Sequence, residues 1–155
     1  MKSVILVTFL SLSTVVFSQN FKELSKTGFE TEASYTEAHT QVLQAANYLF
    51  ENPADKAEAD RLYALGYIIN WMQGTPDYTF SISDEATKLT KGNQDIFGLY
   101  WAAMTKAVLE NPDKKMSDDE VHEKATDILV AYCANPENNM KPSRKIKKLI
   151  KARKG

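Results

Sequence analysis

The sequence has little of the chemistry that usually marks a catalytic or metal site. Among its 155 residues there is one cysteine, Cys133, and there are two histidines, His39 and His122. One cysteine excludes an intramolecular disulfide, and zinc sites usually show a local pair of ligands that this chain does not have. No glycine-rich phosphate loop and no Gly-x-Ser-x-Gly elbow occurs. The sequence therefore predicts no metal, no cofactor and no catalytic residue.

Two stretches resemble the start of a site and then depart from it. His122-Glu123-Lys124-Ala125-Thr126 opens like the helical zinc-protease motif, but Thr126 stands where the second histidine is required. Cys133 follows apolar residues near a predicted helix end, and no neighbour in the sequence would activate it. We therefore predict that Cys133 is a buried and unreactive thiol.

The N-terminus has the pattern of a secretory signal peptide. Met1-Lys2 supplies a positive start, residues 4–17 are mostly apolar, and Ser18 places a small residue at the expected cut. Cleavage there would leave Gln19 as the first residue of the mature chain. The apolar stretch is shorter than the roughly 20 residues that a membrane-spanning helix needs, and no other stretch is apolar enough. The prediction is an exported protein, periplasmic or secreted, with no transmembrane segment after cleavage.

Charge is unevenly distributed along the mature chain. Residues 19–140 hold ten basic and twenty acidic residues, whereas residues 141–155 hold eight basic residues and no acidic residue. The body therefore carries a net charge of −10 and the tail carries +8. Because blocks of like charge are often interaction segments, this contrast is the most informative electrostatic feature of the sequence.

Helix start and stop signals predict an all-α fold. Asn-Pro pairs at 52–53, 111–112 and 135–136 end helical patterns, since proline disfavours the helical conformation of the residue before it. Capping boxes at Ser34–Glu37 and Ser117–Glu120 begin helical patterns. From apolar residues at helical spacing, the predicted helices are approximately 34–52, 54–73, 83–89, 94–110 and 117–134.

These helices predict a compact bundle of about four to five helices plus a basic C-terminal helix. A mature chain of this length suffices for one domain with a real core. The expected organisation is a signal peptide at 1–18, a polar lead-in at 19–30, the bundle domain at 31–140 and a basic amphipathic helix at 141–155.

Glycines and one alternating segment mark the predicted connections. Gly74 is expected to close the second helix as a left-handed cap, and Gly92 is expected to break the chain before the fourth. Gly66 and Gly98 are expected to let helices approach closely. Residues 77–83 alternate between polar and apolar, but the segment is short and isolated, so we expect an irregular connection packed onto the helices.

Aromatic residues recur at helical spacing on two of the predicted helices. This spacing favours packing in the core. An alternative is a groove that receives a small ligand or a segment of a partner protein. The candidate groove residues are Tyr67, Trp71, Tyr78, Phe80 and Trp101.

The tail places Ile146, Leu149 and Ile150 on one apolar stripe among basic residues. Such a helix binds an anionic membrane, a polyanion or an acidic protein face, or it docks on the acidic body of its own chain. The acidity of the body disfavours nucleic acid as a partner. The candidate contacts with an anionic surface are Arg144, Lys145, Lys147, Lys148 and Lys151.

Two resemblances accompany these patterns. One is carried by the segments Val16-Phe17-Ser18-Gln19, Thr90–Gln94, Gly98–Met104 and Tyr132–Pro136. These segments look like those of small exported helical proteins from Bacteroidota, and that resemblance implies no activity. Tyr67-Ile68-Ile69 and Leu109–Pro112 look distantly like the Rap1a/Tai immunity proteins, which are small exported helical bundles. The paired cysteines of that pattern are missing, so none of its sites is carried over.

Together these features favour a non-enzymatic binding or interaction protein of the bacterial envelope, whose partner would be a protein or a small ligand. An inhibitor or immunity-type role is one version of this hypothesis. Two alternatives remain open at this level. The first is a surface-associated protein that its basic tail holds to anionic lipid or polyanion. The second is an enzyme whose site no motif marks.

Overall fold

In the computed structural model the described residues are 20–55 and 58–154, and all regular structure within them is helical. The predicted all-α fold class is confirmed. The expected signal peptide at 1–18, with its cut after Ser18, lies outside the described residues. In chain order the elements are α1 (Phe21–Leu24), α2 (Glu32–Glu37), α3 (His39–Glu51), α4 (Ala59–Met72), α5 (Asp84–Thr90), α6 (Gln94–Leu109), α7 (Asp118–Ala134), the 3-10 helix η1 (Pro136–Asn138) and α8 (Arg144–Lys154).

Helix α6 forms the centre of the bundle because it is apolar on most of its faces. Ten of its sixteen residues are buried, including Ala102, Ala103 and Thr105. A helix that is apolar nearly all round has to be enclosed by other elements. Helices α3, α4, α5 and α7 pack against it, and α8 lies outside them in contact with α5 and α7.

The C-terminal end of α3 is held by two neighbouring helices. Its last carbonyl groups have no partner within the helix, because Pro53 ends the helical pattern. Arg61 of α4, 8% exposed, donates one hydrogen bond to the Asn52 carbonyl at 3.1 Å and one to the Leu49 carbonyl at 3.1 Å. The hydroxyl of Tyr132, on α7, donates to the same Asn52 oxygen at 2.7 Å. These bonds connect α3, α4 and α7 at one point.

Several predicted helix ends are confirmed. Ser117 and Glu120 form the expected capping box at the start of α7, and Ser117 N–H donates to Glu120 Oε2 at 2.9 Å. Gly92 adopts a φ of 82°, a conformation that favours glycine, at the break between α5 and α6. Asn93 then caps α6 by accepting the Asp95 and Ile96 N–H groups. Residues 77–83 form the expected irregular connection.

Two predicted helix starts are wrong. The first capping box joins Thr31 to Ser34, so α2 begins at Glu32, before the predicted start. The predicted helix 34–52 is also interrupted at Ala38, where α2 gives way to α3. The second helix begins at Ala59 instead of Ala54. The N–H of Ala54 donates instead to the carbonyl of Asn138 at 2.7 Å, a bond to a segment more than 80 residues away along the chain that helical spacing does not reveal.

Two glycines also differ from prediction. Gly74 is not a left-handed cap, because the positive φ angles in the described residues occur at Gly92 and Asn139. The residue that follows α4, Gln73, has a φ of −70°. Gly66 is exposed, and a Cβ added to it would meet nothing within 4 Å, so no helix approaches there. Gly98 does permit close approach, since an added Cβ would lie 2.8 Å from Leu65 Cδ2.

Part of the expected polar lead-in belongs to the bundle. Phe21, on α1, is buried, and its ring centroid lies 4.7 Å from that of Tyr48. Phe29 stacks on Tyr35 with centroids 4.7 Å apart. Helix α1 packs against α4. The polar composition of residues 19–30 did not predict this packing, because only two side chains in the segment, Phe21 and Phe29, make these aromatic contacts.

Helix α8 docks on the bundle by its apolar stripe. Ile146 is fully buried, and Leu149 and Ile150 pack half-buried against the core. Ser143 caps the helix by accepting the Ile146 N–H at 3.1 Å, and its own hydroxyl donates to the Leu89 carbonyl at 2.5 Å. Of the alternatives for the tail, docking on its own body is the arrangement that the structure contains.

The two glycines in helix interiors give a matched stability prediction. Gly66→Ala should raise the free energy of unfolding by about 0.5–1 kcal/mol, because alanine restricts the unfolded chain and meets no neighbour. Gly98→Ala should give a clearly smaller gain, because Leu65 has to move to admit the methyl group. Urea unfolding of both variants, followed by far-ultraviolet circular dichroism, measures the difference. Equal stabilisation by the two substitutions would contradict the packing described at Gly98.

Candidate functional site

Three of the five candidate groove residues lie together, but they form a closed cluster. Trp71 is 0% exposed, and its ring centroid lies 5.9 Å from Tyr78 and 6.0 Å from Phe80. Its indole N–H donates to the Tyr35 carbonyl at 3.0 Å. The connection 77–83 thus covers Trp71 instead of lining an open groove beside it.

The other two candidates lie in separate places. Tyr67 is 2% exposed and packs on Phe29 at a centroid distance of 5.6 Å, and burial raises its pKa above the usual value. Trp101 is half-buried and packs edge-on against Phe97, which lies on the same helix. The five aromatic side chains therefore serve core packing, the first of the two interpretations made from the sequence, and do not converge on one cavity.

The connection over Trp71 is held by a polar contact at its start. Asp77 Oδ2 accepts a hydrogen bond from the Thr36 hydroxyl at 2.9 Å and lies 3.2 Å from His39 Nε2. The geometry of the latter contact is not that of a hydrogen bond. The His39 ring stands edge-on to Trp71 with centroids 5.6 Å apart. This contact explains how a short irregular segment is fixed on the bundle.

The imidazole of His122 and the thiol of Cys133 lie in different surroundings on α7. The Tyr100 hydroxyl lies 2.7 Å from His122 Nδ1, but burial raises the pKa of Tyr100 to about 12, so the phenol is neutral at ordinary pH. Cys133 is buried as predicted, and burial raises its pKa to about 11, which leaves little of the reactive thiolate. In the described ranges no group of three or more His, Cys, Asp or Glu side chains is placed to hold a metal ion.

The candidate contacts on α8 present one continuous basic face. All five side chains, together with that of Lys141, are exposed. None of these six cations takes part in an ion pair found among the described residues. The one ion pair found there between α8 and the body joins Arg153 to Asp127 of α7. Docking therefore uses apolar contacts and leaves most of the positive charge of the tail facing solvent.

Two further lysines extend this face into a concave surface. Lys88 and Lys91, at the end of α5, lie across an open depression of about 690 Å³ from the first turns of α8. Its lining contains seven basic side chains and no acidic one: Lys88, Lys91, Lys141, Arg144, Lys145, Lys147 and Lys148. We call this surface the basic concavity.

Sequence reasoning missed Lys88 and Lys91, because they lie about 50 residues before the tail in an acidic part of the chain. The packing of α8 against α5 brings them beside it. No local pattern distinguishes them from other lysines at the surface of a helix. Only the tertiary contact between α5 and α8 identifies these two lysines as part of the basic surface.

A second cavity, of about 560 Å³, opens between α4, α6 and the segment 139–141. Its lining includes the apolar residues Leu65 and Leu99, several carboxylates and amides, and the buried Arg61. Leu62, 68% exposed, stands at its rim. The lining mixes both charge signs with apolar atoms, so it specifies no class of ligand as clearly as the basic concavity does.

Comparison of the chain with protein-family models, with curated proteins and with solved structures found no match. In the part of the chain that the structure describes, each helix is too short or too polar to cross a membrane.

The burial of Cys133 predicts slow alkylation. At pH 8 the native thiol should react with iodoacetamide roughly 100-fold more slowly than an ordinary cysteine, because a pKa near 11 lowers the thiolate fraction by about that factor. Intact mass measured over time follows the single modification, and the same chain in denaturing urea is the control. Rapid stoichiometric alkylation of the native protein would contradict the described burial.

Proposed function

We propose that this protein is a non-enzymatic binding protein of the bacterial envelope that engages an anionic surface or polymer through the basic face of α8. One observation carries the proposal. The helix is docked on the bundle, yet its five exposed candidate contacts and the preceding Lys141 have no carboxylate partner among the described residues. A surface with unpaired charges of one sign attracts a partner of the opposite sign.

The docked position of α8 specifies the kind of contact. An amphipathic helix enters a bilayer by its apolar stripe. Here Ile146 is fully buried in the bundle, and Leu149 and Ile150 pack against it, so the stripe already has a partner. The face left for a partner is charged, and the contact we propose is electrostatic and does not require insertion into lipid.

The acidic body determines how the molecule is oriented toward an anionic partner. Residues 19–140 carry a net charge of −10, so most of the surface repels an anionic partner while the tail attracts it. Such a charge distribution orients the molecule, with α8 and the end of α5 facing the partner. Interactions of exposed charges are screened by salt, so association should be salt-sensitive.

The envelope location rests on the N-terminal sequence. A positive start, an apolar stretch too short to span a bilayer and a small residue at position 18 are typical of an export signal. An exported chain also meets anionic surfaces and polymers that lie outside the cytoplasm. The immunity-type version of the binding hypothesis has no feature of the described fold that favours it.

Neutralising the basic face should abolish this association. A variant with Arg144, Lys145, Lys147, Lys148 and Lys151 each changed to Gln should lose binding to anionic vesicles and to a sulfated polymer at low salt, since each such cation contributes roughly 1 kcal/mol near an anionic surface. Co-sedimentation and retention on a sulfated matrix measure the two interactions, and circular dichroism verifies the fold.

The matched control removes the same number of charges elsewhere, because five exposed lysines lie outside the basic face: Lys22, Lys26, Lys114, Lys115 and Lys124, each changed to Gln. The control should bind like the parent chain. If the parent protein binds none of the anionic probes at low salt, the proposed function is wrong. Equal binding by the parent and the five-residue variant would reject it as well.

Export predicts a defined N-terminus. Protein recovered from the periplasm or medium of its producing cell should begin at Gln19, because the cut is expected after Ser18. Intact mass and N-terminal peptide analysis identify that end, including the cyclised form that an N-terminal glutamine readily adopts. Recovery of the chain only in the cytoplasm, with Met1 retained, would exclude the envelope location.

A further inference from the structure

We infer that the basic concavity is a binding site for the phosphate groups of a phosphate-bearing polymer. The inference rests on the proposed function and deepens it, because it names the partner chemistry and adds residues of the body to the contact. Its basis is the joining of three chain segments, the end of α5, residues 91–93 and the start of α8, around one depression of about 690 Å³.

The composition of this surface selects an anion of high charge density. Seven basic side chains line it and no acidic residue does, although the body as a whole has twice as many acidic as basic residues. Lys88 approaches Glu85 at 3.8 Å, but both side chains are about two-thirds exposed, so this pair is weak. The remaining six make no ion pair among the described residues.

Phosphate fits this lining better than carboxylate does. In a polyphosphate chain each group carries one negative charge and two free oxygens, and neighbouring groups share a bridging oxygen, so several charges lie close together within the span of this lining. Arg144 provides a planar guanidinium that binds two phosphate oxygens together, and the lysines supply point charges around it. The carboxylates of an acidic polypeptide are carried on separate side chains, so fewer of them reach the same seven cations.

The walls of the concavity are held in place before any ligand binds. Asn93 caps α6 with its side-chain oxygen and donates from Nδ2 to the Lys141 carbonyl at 2.7 Å. Ser143 donates to the Leu89 carbonyl at 2.5 Å and thereby ties the start of α8 to the last turn of α5. A site fixed by such bonds loses less conformational freedom on binding than a free basic tail would.

The basic residues continue beyond the concavity in a way that suits a chain-like ligand. Arg144, Lys147, Lys148 and Lys151 lie at spacings of three, four and seven residues, which places them along one face of α8. At 1.5 Å per residue the row is roughly 10 Å long, and Lys151, its last member, lies beyond the lining of the concavity. A polymer with regularly repeated phosphates can contact both, whereas a single phosphate ion can occupy the concavity alone.

A lipid bilayer is the less favoured source of phosphate. Its headgroups form a broad and nearly flat surface, whereas Lys88 and Lys91 face α8 across a depression. The apolar stripe that would anchor α8 in lipid is packed against α5 and α7. We therefore commit to a soluble or wall-borne phosphate polymer, with vesicles as a test of the alternative.

The test compares two double variants of equal charge change in the full mature chain. Lys88→Gln/Lys91→Gln removes two cations from the wall of the concavity outside α8, and Lys115→Gln/Lys124→Gln removes two exposed cations elsewhere. Inorganic polyphosphate is the probe, with polyglutamate of similar charge and anionic phospholipid vesicles as comparators. Binding is measured by isothermal titration calorimetry at several salt concentrations, and thermal unfolding verifies that both variants are folded.

We expect the concavity variant to bind polyphosphate at least tenfold more weakly than the parent, the control to stay within twofold, and polyglutamate to bind less tightly than polyphosphate. Equal weakening in both variants would mean that net charge alone drives binding, which overturns the inference and leaves the proposed function standing. Tighter binding to vesicles than to polyphosphate overturns the choice of a polymer. No binding to any probe overturns the proposed function itself.

Discussion

The hydrogen bonds from a buried arginine of α4 to the carbonyl groups at the end of α3 are the interaction on which the rest of the structure depends. Asn52-Pro53 ends α3 and leaves its last carbonyl groups inside the bundle without backbone partners. Arg61 supplies two donors to them, and Tyr132 supplies a third. Because the guanidinium is charged and buried, a shift of α3 or α4 that breaks these hydrogen bonds would leave a costly group without partners. The same contact includes α7, the helix that receives α8.

The separation of apolar and charged surfaces on α8 follows from that arrangement. Helices α5 and α7, held around α6, offer an apolar seat for Ile146 and its neighbours. Once those residues are buried, helical periodicity turns the basic residues outward, since the two sets lie on opposite faces. The docked tail therefore holds its basic side chains on one fixed face of the bundle. This distinguishes it from a disordered basic tail, which would lose conformational entropy on binding any partner.

Local sequence signals predicted many of the helix starts and ends, and tertiary contacts explain the predictions that were wrong. The capping box at Ser117 and the break at Gly92 depend on side chains within a few residues, so they are visible in the sequence. Ala54 was assigned to a helix because nothing nearby forbids it, but its N–H donates to Asn138. Trp71 was equally ambiguous, because aromatic spacing describes a buried stripe and a ligand groove alike until the covering segment is known.

The sequence by itself determined the helical class, the acidic body and the amphipathic basic tail, because periodicity, capping and charge are properties of neighbouring residues. It also identified the basic residues of the candidate site that lie on α8. Only the tertiary structure decided that α8 docks, that most of its charges have no ion-pair partner among the described residues, and that Lys88 and Lys91 complete a concave surface with it. Those outcomes depend on which distant helices pack together, and the free energy of that packing is distributed over the whole core and not over any local pattern.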